Sequence, residues 1–166
     1  MRVFPVFLAL SVLAACTDNL TPAEETARDE RDIALVEKAN RGTALPIAPQ
    51  PILFPDIERY KLYEVTCAFV GKSGGLGAIM LARADDGYMK LNDKMIRFAA
   101  DKGSAELPYG AHARYTGKKY AFTLAPAPGS SRRSGTETTD YKGDLTVEDG
   151  KGNVVFKDAG SVQCGS

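Results

Sequence analysis

Residues 63–69 read Tyr-Glu-Val-Thr-Cys-Ala-Phe, and the alternation within them decides the fold class. Tyr63, Val65, Cys67 and Phe69 fall on one side of an extended chain and Glu64, Thr66 and Ala68 on the other, the period of two that a half-buried strand requires. The same period recurs downstream. It places Ile79 with Leu81, Ile96 with Phe98 against Met95 and Arg97, and Ala111 with Ala113 and Tyr115. It continues in Tyr120, Phe122 and Leu124, then in Leu145 and Val147, Val154 and Phe156, and Val162 and Cys164. Asp86-Gly87, Asn92-Asp93, Thr116-Gly117-Lys118 and Asp149-Gly150 separate these runs with turn chemistry. Seven to nine short strands with tight connections predict an all-β domain over residues 57–166, a small antiparallel barrel or sandwich. No helix is expected after Ile57.

Upstream of this domain the chain changes character. Pro46, Pro49, Pro51 and Pro55 crowd residues 45–56, a density that favours extended polyproline conformation and predicts a linker. Before it, Thr21-Pro22-Ala23-Glu24 reads as a capping box with proline in the first turn, and Gly42 supplies a stop, so a helix is expected over about 22–40. Ala27, Ile33, Leu35, Val36 and Ala39 make no broad stripe on that helix, which predicts a solvated one. Residues 17–56 hold four basic side chains against eight acidic, whereas residues 57–166 hold sixteen against thirteen. Residues 16–56 therefore read as an acidic tether and residues 57–166 as a mildly basic domain.

The first sixteen residues, MRVFPVFLALSVLAAC, supply an address. Arg2 precedes an apolar run over residues 3–12, and polar Thr17 and Asp18 arrive well before the roughly 20 apolar residues that a spanning helix needs. Residues 1–15 read as a signal peptide. Leu13-Ala14-Ala15-Cys16 resembles the bacterial lipobox, in which the cysteine thiol takes a diacylglycerol and the mature chain begins at that cysteine. An ordinary Ala-x-Ala cleavage beside a cysteine is the alternative. Acyl chains such as palmitate contribute about 0.8 kcal/mol per buried CH₂, so two or more of them hold a protein at a membrane. Thr17 after the cysteine, where an aspartate favours inner-membrane retention, favours the outer membrane of a Gram-negative envelope, with the domain facing the periplasm.

Export gives the other two cysteines a meaning. Cys67 and Cys164 lie on the first and last strong strands at inward positions, and in an oxidising compartment such a pair reads as a disulfide. Two buried thiols are the alternative.

Composition narrows the activity. With 21 basic against 21 acidic residues and a pI of about 6.6, the chain lacks the basic excess of a general nucleic-acid binder. One histidine and three cysteines leave little for a metal cluster or a catalytic triad, so no catalytic residue, metal or cofactor is expected. Gly71-Lys72-Ser73 imitates a phosphate loop, but the glycine required five positions earlier is Thr66. His112 alternates with Ala111 and Ala113 and is expected on the surface, without a nucleophile to serve. Asp85-Asp86 and Glu148-Asp149 read as turn residues. The stretch 125–139, APAPGSSRRSGTETT, reads as a long loop. Its Arg132 and Arg133, with Arg114, Lys118 and Lys119, make either a basic patch for anionic glycans or headgroups or a solvated surface.

The cysteine placement, the segment Ala113-Arg114-Tyr115-Thr116-Gly117 and the segment Lys142-Gly143-Asp144-Leu145-Thr146-Val147 together resemble the membrane-bound and periplasmic inhibitors of C-type lysozyme, the MliC/PliC family. That resemblance implies an eight-stranded barrel presenting a tyrosine element and a Lys-Gly element to the lysozyme cleft. Tyr115, with Arg114 beside it, would match the first, and Lys142 with Gly143 the second. The expectation is therefore a lipid-anchored envelope protein that binds a macromolecule, lysozyme being the named candidate. The alternative is a structural or accessory lipoprotein that binds another envelope component without inhibiting anything.

Overall fold

The computed structural model describes residues 21–64, 66–72, 75 and 77–165. Residues 1–15, read from the sequence as a signal peptide, and Cys16 lie outside the described residues. The chain divides into two units between Asn40 and Arg41. Helix α1 spans Pro22–Arg41, all but its last residue in the first unit, and buries none of its residues. Its capping box forms as the sequence predicts: the Thr21 N–H and hydroxyl donate to Glu24 Oε2 at 2.8 and 2.7 Å, which satisfies donors that a helix start would otherwise leave open.

The second unit is a closed antiparallel barrel. Its strands are β1 (Thr66–Gly71), β2 (Met80–Ala82), β3 (Asp86–Leu91), β4 (Lys94–Ala100), β5 (Arg114–Thr116), β6 (Tyr120–Pro126), β7 (Arg132–Arg133), β8 (Thr139–Asp149) and β9 (Val154–Gly165). Order in space follows order in the chain from β1 to β6, β6 then pairs with β8, and β9 returns to β1. Eight strands close the ring, and β7 is an extra pair of residues on the edge of β8. Of the two architectures that alternation allows, the barrel is the one formed.

Closure happens at the β1–β9 seam. Six registered pairs run from Thr66 opposite Gly165 to Gly71 opposite Gly160, and Cys67 stands opposite Cys164. The two sulfurs are bonded, across 97 positions of sequence, and neither cysteine is accessible. Inside, Phe69, Met80, Met89, Phe98, Phe122, Leu124, Leu145, Val147 and Val162 are fully buried. Phe122 sits between two rings, edge-on to Phe98 at 5.0 Å and stacked on Tyr115 at 4.7 Å.

Three parts of the alternation depart from the sequence reading, each for a local reason. Tyr63 is exposed because β1 begins only at Thr66. Leu81 faces outward, into a second apolar layer with Ile52 and Leu62, while Met80 takes the inward place; β2 is buried on both faces. A bulge between Val147 and Glu148 of β8 opposes β9 so that Val155 becomes the buried residue and Val154 is half exposed. One extra residue reverses the facing of everything beyond it.

That second layer corrects two further expectations. A helix does cross Ile57: α2 spans Phe54–Tyr60, with Pro55 in its first turn, and Asp56 Oδ2 accepts the Leu53 N–H at 3.0 Å. Seven residues are too few for a 3.6-residue period to be legible. The proline-rich segment is also not a free spacer. It straps the barrel through the Ile47, Gln50 and Ile52 N–H groups, which donate to Val155, Lys90 and Ala78 carbonyls at 3.0, 2.8 and 2.7 Å. Each donor directly follows a proline, so the strap uses the N–H groups its prolines leave available. Packing thus begins at Arg41 rather than at Ile57.

Antiparallel order sets what lies where. The strap crosses the end that carries the β1–β2, β3–β4, β5–β6 and β8–β9 turns, and the disulfide lies toward the opposite end. A bridge closing a loop of about 100 residues contributes up to about 4.7 kcal/mol in the chain-entropy account. Cys67→Ser or Cys164→Ser, or reduction of the native protein, is expected to lower Tm by about 10 °C in a calorimetric melt. Superimposable oxidised and reduced melts would contradict a load on that bond.

Candidate functional site

Tyr115, expected as an exposed aromatic contact, is fully buried in the barrel. Its hydroxyl donates to the Arg83 carbonyl at 2.6 Å and accepts the His112 N–H at 2.8 Å, while its ring stacks on Phe122. This corrects the sequence reading. Tyr115 pins the β2–β3 turn to the approach of β5 and has no surface to offer a partner. The exposed role came from the resemblance alone; the alternation, which groups Tyr115 with Ala111, agrees with the buried position.

The other matched residues separate as well. Arg114 points along the outer face, donating to Thr123 Oγ1 at 3.3 Å and pairing with Glu148 Oε2 at 2.9 Å. Lys142 is exposed on β8, with its backbone tied into the 125–139 segment: its N–H donates to Ser130 Oγ and its carbonyl accepts the Ala127 N–H. Gly143 is buried, and a Cβ there would meet Val162 Cγ2 at 2.8 Å and the Ala125 carbonyl oxygen at 2.9 Å. Its lack of a side chain lets β6, β8 and β9 approach, which is a structural role. Tyr115 and Lys142 therefore share no exposed rim.

His112 is half-buried rather than exposed, and its Nδ1 is buried without a hydrogen-bond partner among the described residues. Asp85 and Asp86, both read as turn residues, have different fates. Asp85 stays exposed beside Lys102, at 2.7 Å. Asp86 opens β3, is buried, and accepts Arg83 Nε at 2.8 Å, Arg97 Nε at 2.9 Å and the Tyr88 hydroxyl at 2.9 Å. Arg83 also lies over the Tyr88 ring and pairs with Glu64. A buried carboxylate with three donors is satisfied, so this cluster ties β2, β3 and β4 together on the outer face. The signal that could have found it is the outward period of two shared by Asp86, Tyr88 and Arg97 across adjacent strands.

Exposed cations without an ion pair gather at the strap end. Lys118 and Lys119 sit on the β5–β6 turn and Lys151 on the β8–β9 turn, all exposed, and none is in an ion pair among the described residues. Lys119 and Lys151 rim a depression of about 470 Å³ that is lined also by Leu45, Tyr120 and Val155. Asp149, in the same wall, is spent on its own turn. Its carboxylate accepts the Asn153 side-chain and backbone N–H groups at 3.0 and 2.9 Å and the Lys151 N–H at 2.8 Å. The Asn153 bonds hold its carboxyl below the ordinary carboxylate range. Arg114 and Lys142 lie on strands, and Arg132 pairs at 3.5 Å with Asp140, so the basic patch read from sequence is split: Lys118 and Lys119 belong to this end, and Lys151 joins them.

The described residues hold no group of acidic, histidine or cysteine side chains able to bind a metal ion. Comparison with known proteins finds no family model, no curated relative and no solved structure that matches this chain.

Burial raises the phenols of Tyr88 and Tyr115 above their ordinary value of 10.0. Groups raised in the folded state contribute stability that is intact below the unfolded pKa and lost as pH rises through the folded one. Tm is therefore expected to fall above about pH 10, and Tyr115→Phe to make that decline shallower. The same substitution removes two hydrogen bonds and is expected to cost about 1–2 kcal/mol at pH 7 in urea denaturation. An unchanged midpoint and an unchanged alkaline limb would refute the pin.

Proposed function

We propose that this chain is an exported envelope lipoprotein, anchored by acyl chains on Cys16, whose disulfide-closed barrel works by binding another envelope component. The observation that carries this reading is the bonded pair at the barrel seam. A cystine that holds the first strand to the last persists where the compartment is oxidising, which agrees with the signal peptide and lipobox read at residues 1–16. Thr17 favours the outer membrane, with the barrel in the periplasm. Binding rather than chemistry is supported by the use of the polar side chains. Asp86 is consumed by three donors, and His112 Nδ1 makes no hydrogen bond to an acid or nucleophile among the described residues.

Lysozyme inhibition is the second reading and has less support. It needs an aromatic anchor, and Tyr115 is inside the barrel. C-type lysozyme is itself basic, so a mildly basic domain lacks the complementary field that steers such an encounter. Of the residues matched to the inhibitor motifs, Lys142 alone is free on the surface.

Growth in labelled palmitate is expected to label the mature protein in the membrane fraction, and Cys16→Ser to abolish both label and retention. Membrane-fraction protein that is unlabelled and still carries Met1 would end the proposal. Native protein at micromolar concentration is expected to leave lysozyme turnover unchanged in a cell-wall clearing assay. Stoichiometric inhibition would restore the second reading.

A further inference from the structure

We infer that the strap end of the barrel is a docking face for a bilayer rich in anionic phospholipid. Three observations meet there. The first is charge: the four turns at this end expose Lys72, Lys94, Lys118, Lys119 and Lys151. Against these five stand three carboxylates: Asp93, which accepts the Gln50 side chain and lies on the β3–β4 turn, Asp149, which is occupied by its own turn, and Asp158, which lies against Gly71 where the β1–β2 turn begins. The opposite end is mixed in sign, with Asp85, Asp101, Glu106 and Glu137 interspersed among Lys102, Arg132 and Arg133. The barrel is thus electrically polarised along its axis.

The second observation is apolar. Leu45 is 76% exposed beside Lys119 and Lys151, and Val154, which the bulge turns outward, is half exposed at the start of β9. Ammonium groups beside exposed aliphatic side chains match the headgroup and acyl boundary of a membrane, where the cations meet lipid phosphates and the aliphatic groups enter the first few ångströms of hydrocarbon. A single polyanionic chain would be better served by a groove. Here the lysines stand on separate turns around one end, which makes a face.

The third is the path of the chain. The barrel unit begins at Arg41, whose carbonyl accepts Asn153 Nδ2 at 3.0 Å on the β8–β9 turn, so the chain enters the barrel unit at this same end. This third point rests on the proposed anchoring; the first two do not. Together they assign the lysines a role the fold has no use for, because among the described residues Lys118, Lys119 and Lys151 hold nothing in place.

The test uses the full chain with Cys16→Ser, which has no acyl chains to bind by. Sedimentation with vesicles of phosphatidylcholine alone and with 30% phosphatidylglycerol reads the phosphatidylglycerol-dependent part of binding. That part is expected to fall at least tenfold in Lys119→Glu with Lys151→Glu, severalfold in Leu45→Ser, and steeply as salt rises from 0.05 to 0.5 M. Arg132→Glu with Arg133→Glu, at the other end, is expected to leave it unchanged, and thermal melts of all variants to stay close to the parent. No phosphatidylglycerol dependence, equal loss from the two charge reversals, or retention on isolated peptidoglycan in place of vesicles would overturn the inference. Palmitate labelling of the native chain is scored separately, so failure of the anchor and failure of the docking face are distinguishable.

Discussion

The β1–β9 seam is the constraint on which the rest of this structure depends. A meander of strands can lie open, with two edges of unpaired backbone, or return on itself so that no edge remains. Here the last strand runs back beside the first for six residue pairs, and a covalent bond joins Cys67 to Cys164 inside that ladder. Because the bond joins residues nearly the whole domain apart in sequence, it withdraws conformational freedom from the unfolded chain while adding little to the folded one. Once the seam holds, the inward residues of all eight strands must share one interior, and Phe69, Phe98, Tyr115 and Phe122 fill it.

Around that interior the protein adds an outer layer, and its construction explains why a proline-rich stretch is not a linker here. A polyproline-like segment has few N–H groups and cannot join a sheet as a central strand. It can lie across a barrel end and donate one bond at a time, as Ile47, Gln50 and Ile52 do. Ile52 and the helix α2 then cover the outward face of β2, and the Lys90–Asp56 pair at 2.9 Å fastens the helix to β3. The Leu53 N–H, and after it Lys90, keep the Asp56 carboxyl below its usual range, so this fastening persists as pH falls until that lowered value is reached. Next to it the Asp86 cluster fixes the outer face of β3 and β4 with two guanidinium groups and a phenol. The strap, the helix and the cluster together let a small barrel bury side chains on both faces of one strand.

Function follows from what this packing leaves unused. Tyr115, Gly143, Arg114 and Asp86 are each spoken for by the fold, so the residues that a motif search singles out are mostly structural. The side chains without an internal duty are the lysines of the strap-end turns and the aliphatic groups between them. They look outward at the end where the chain enters the barrel unit, the face proposed above for docking.

The sequence by itself determined what is local. A period of two in residues 66–71 and 120–126 signals strands, Thr21 with Glu24 signals a helix start, and two inward cysteines at the ends of a β-domain read as a pair. The first two depend on neighbours within a few residues, and the third on the strand pattern around each cysteine. Tertiary structure alone decided the matters that need two distant segments at once. Barrel was chosen over sandwich when β6 met β8 and β9 met β1. Tyr115 went inside because Phe122 offered it a ring and Arg83 a carbonyl. Val155 replaced its neighbours in the core because β8 and β9 differ by one residue at the bulge. Which face of a strand is inside is a property of closure, and closure is not written in any single strand.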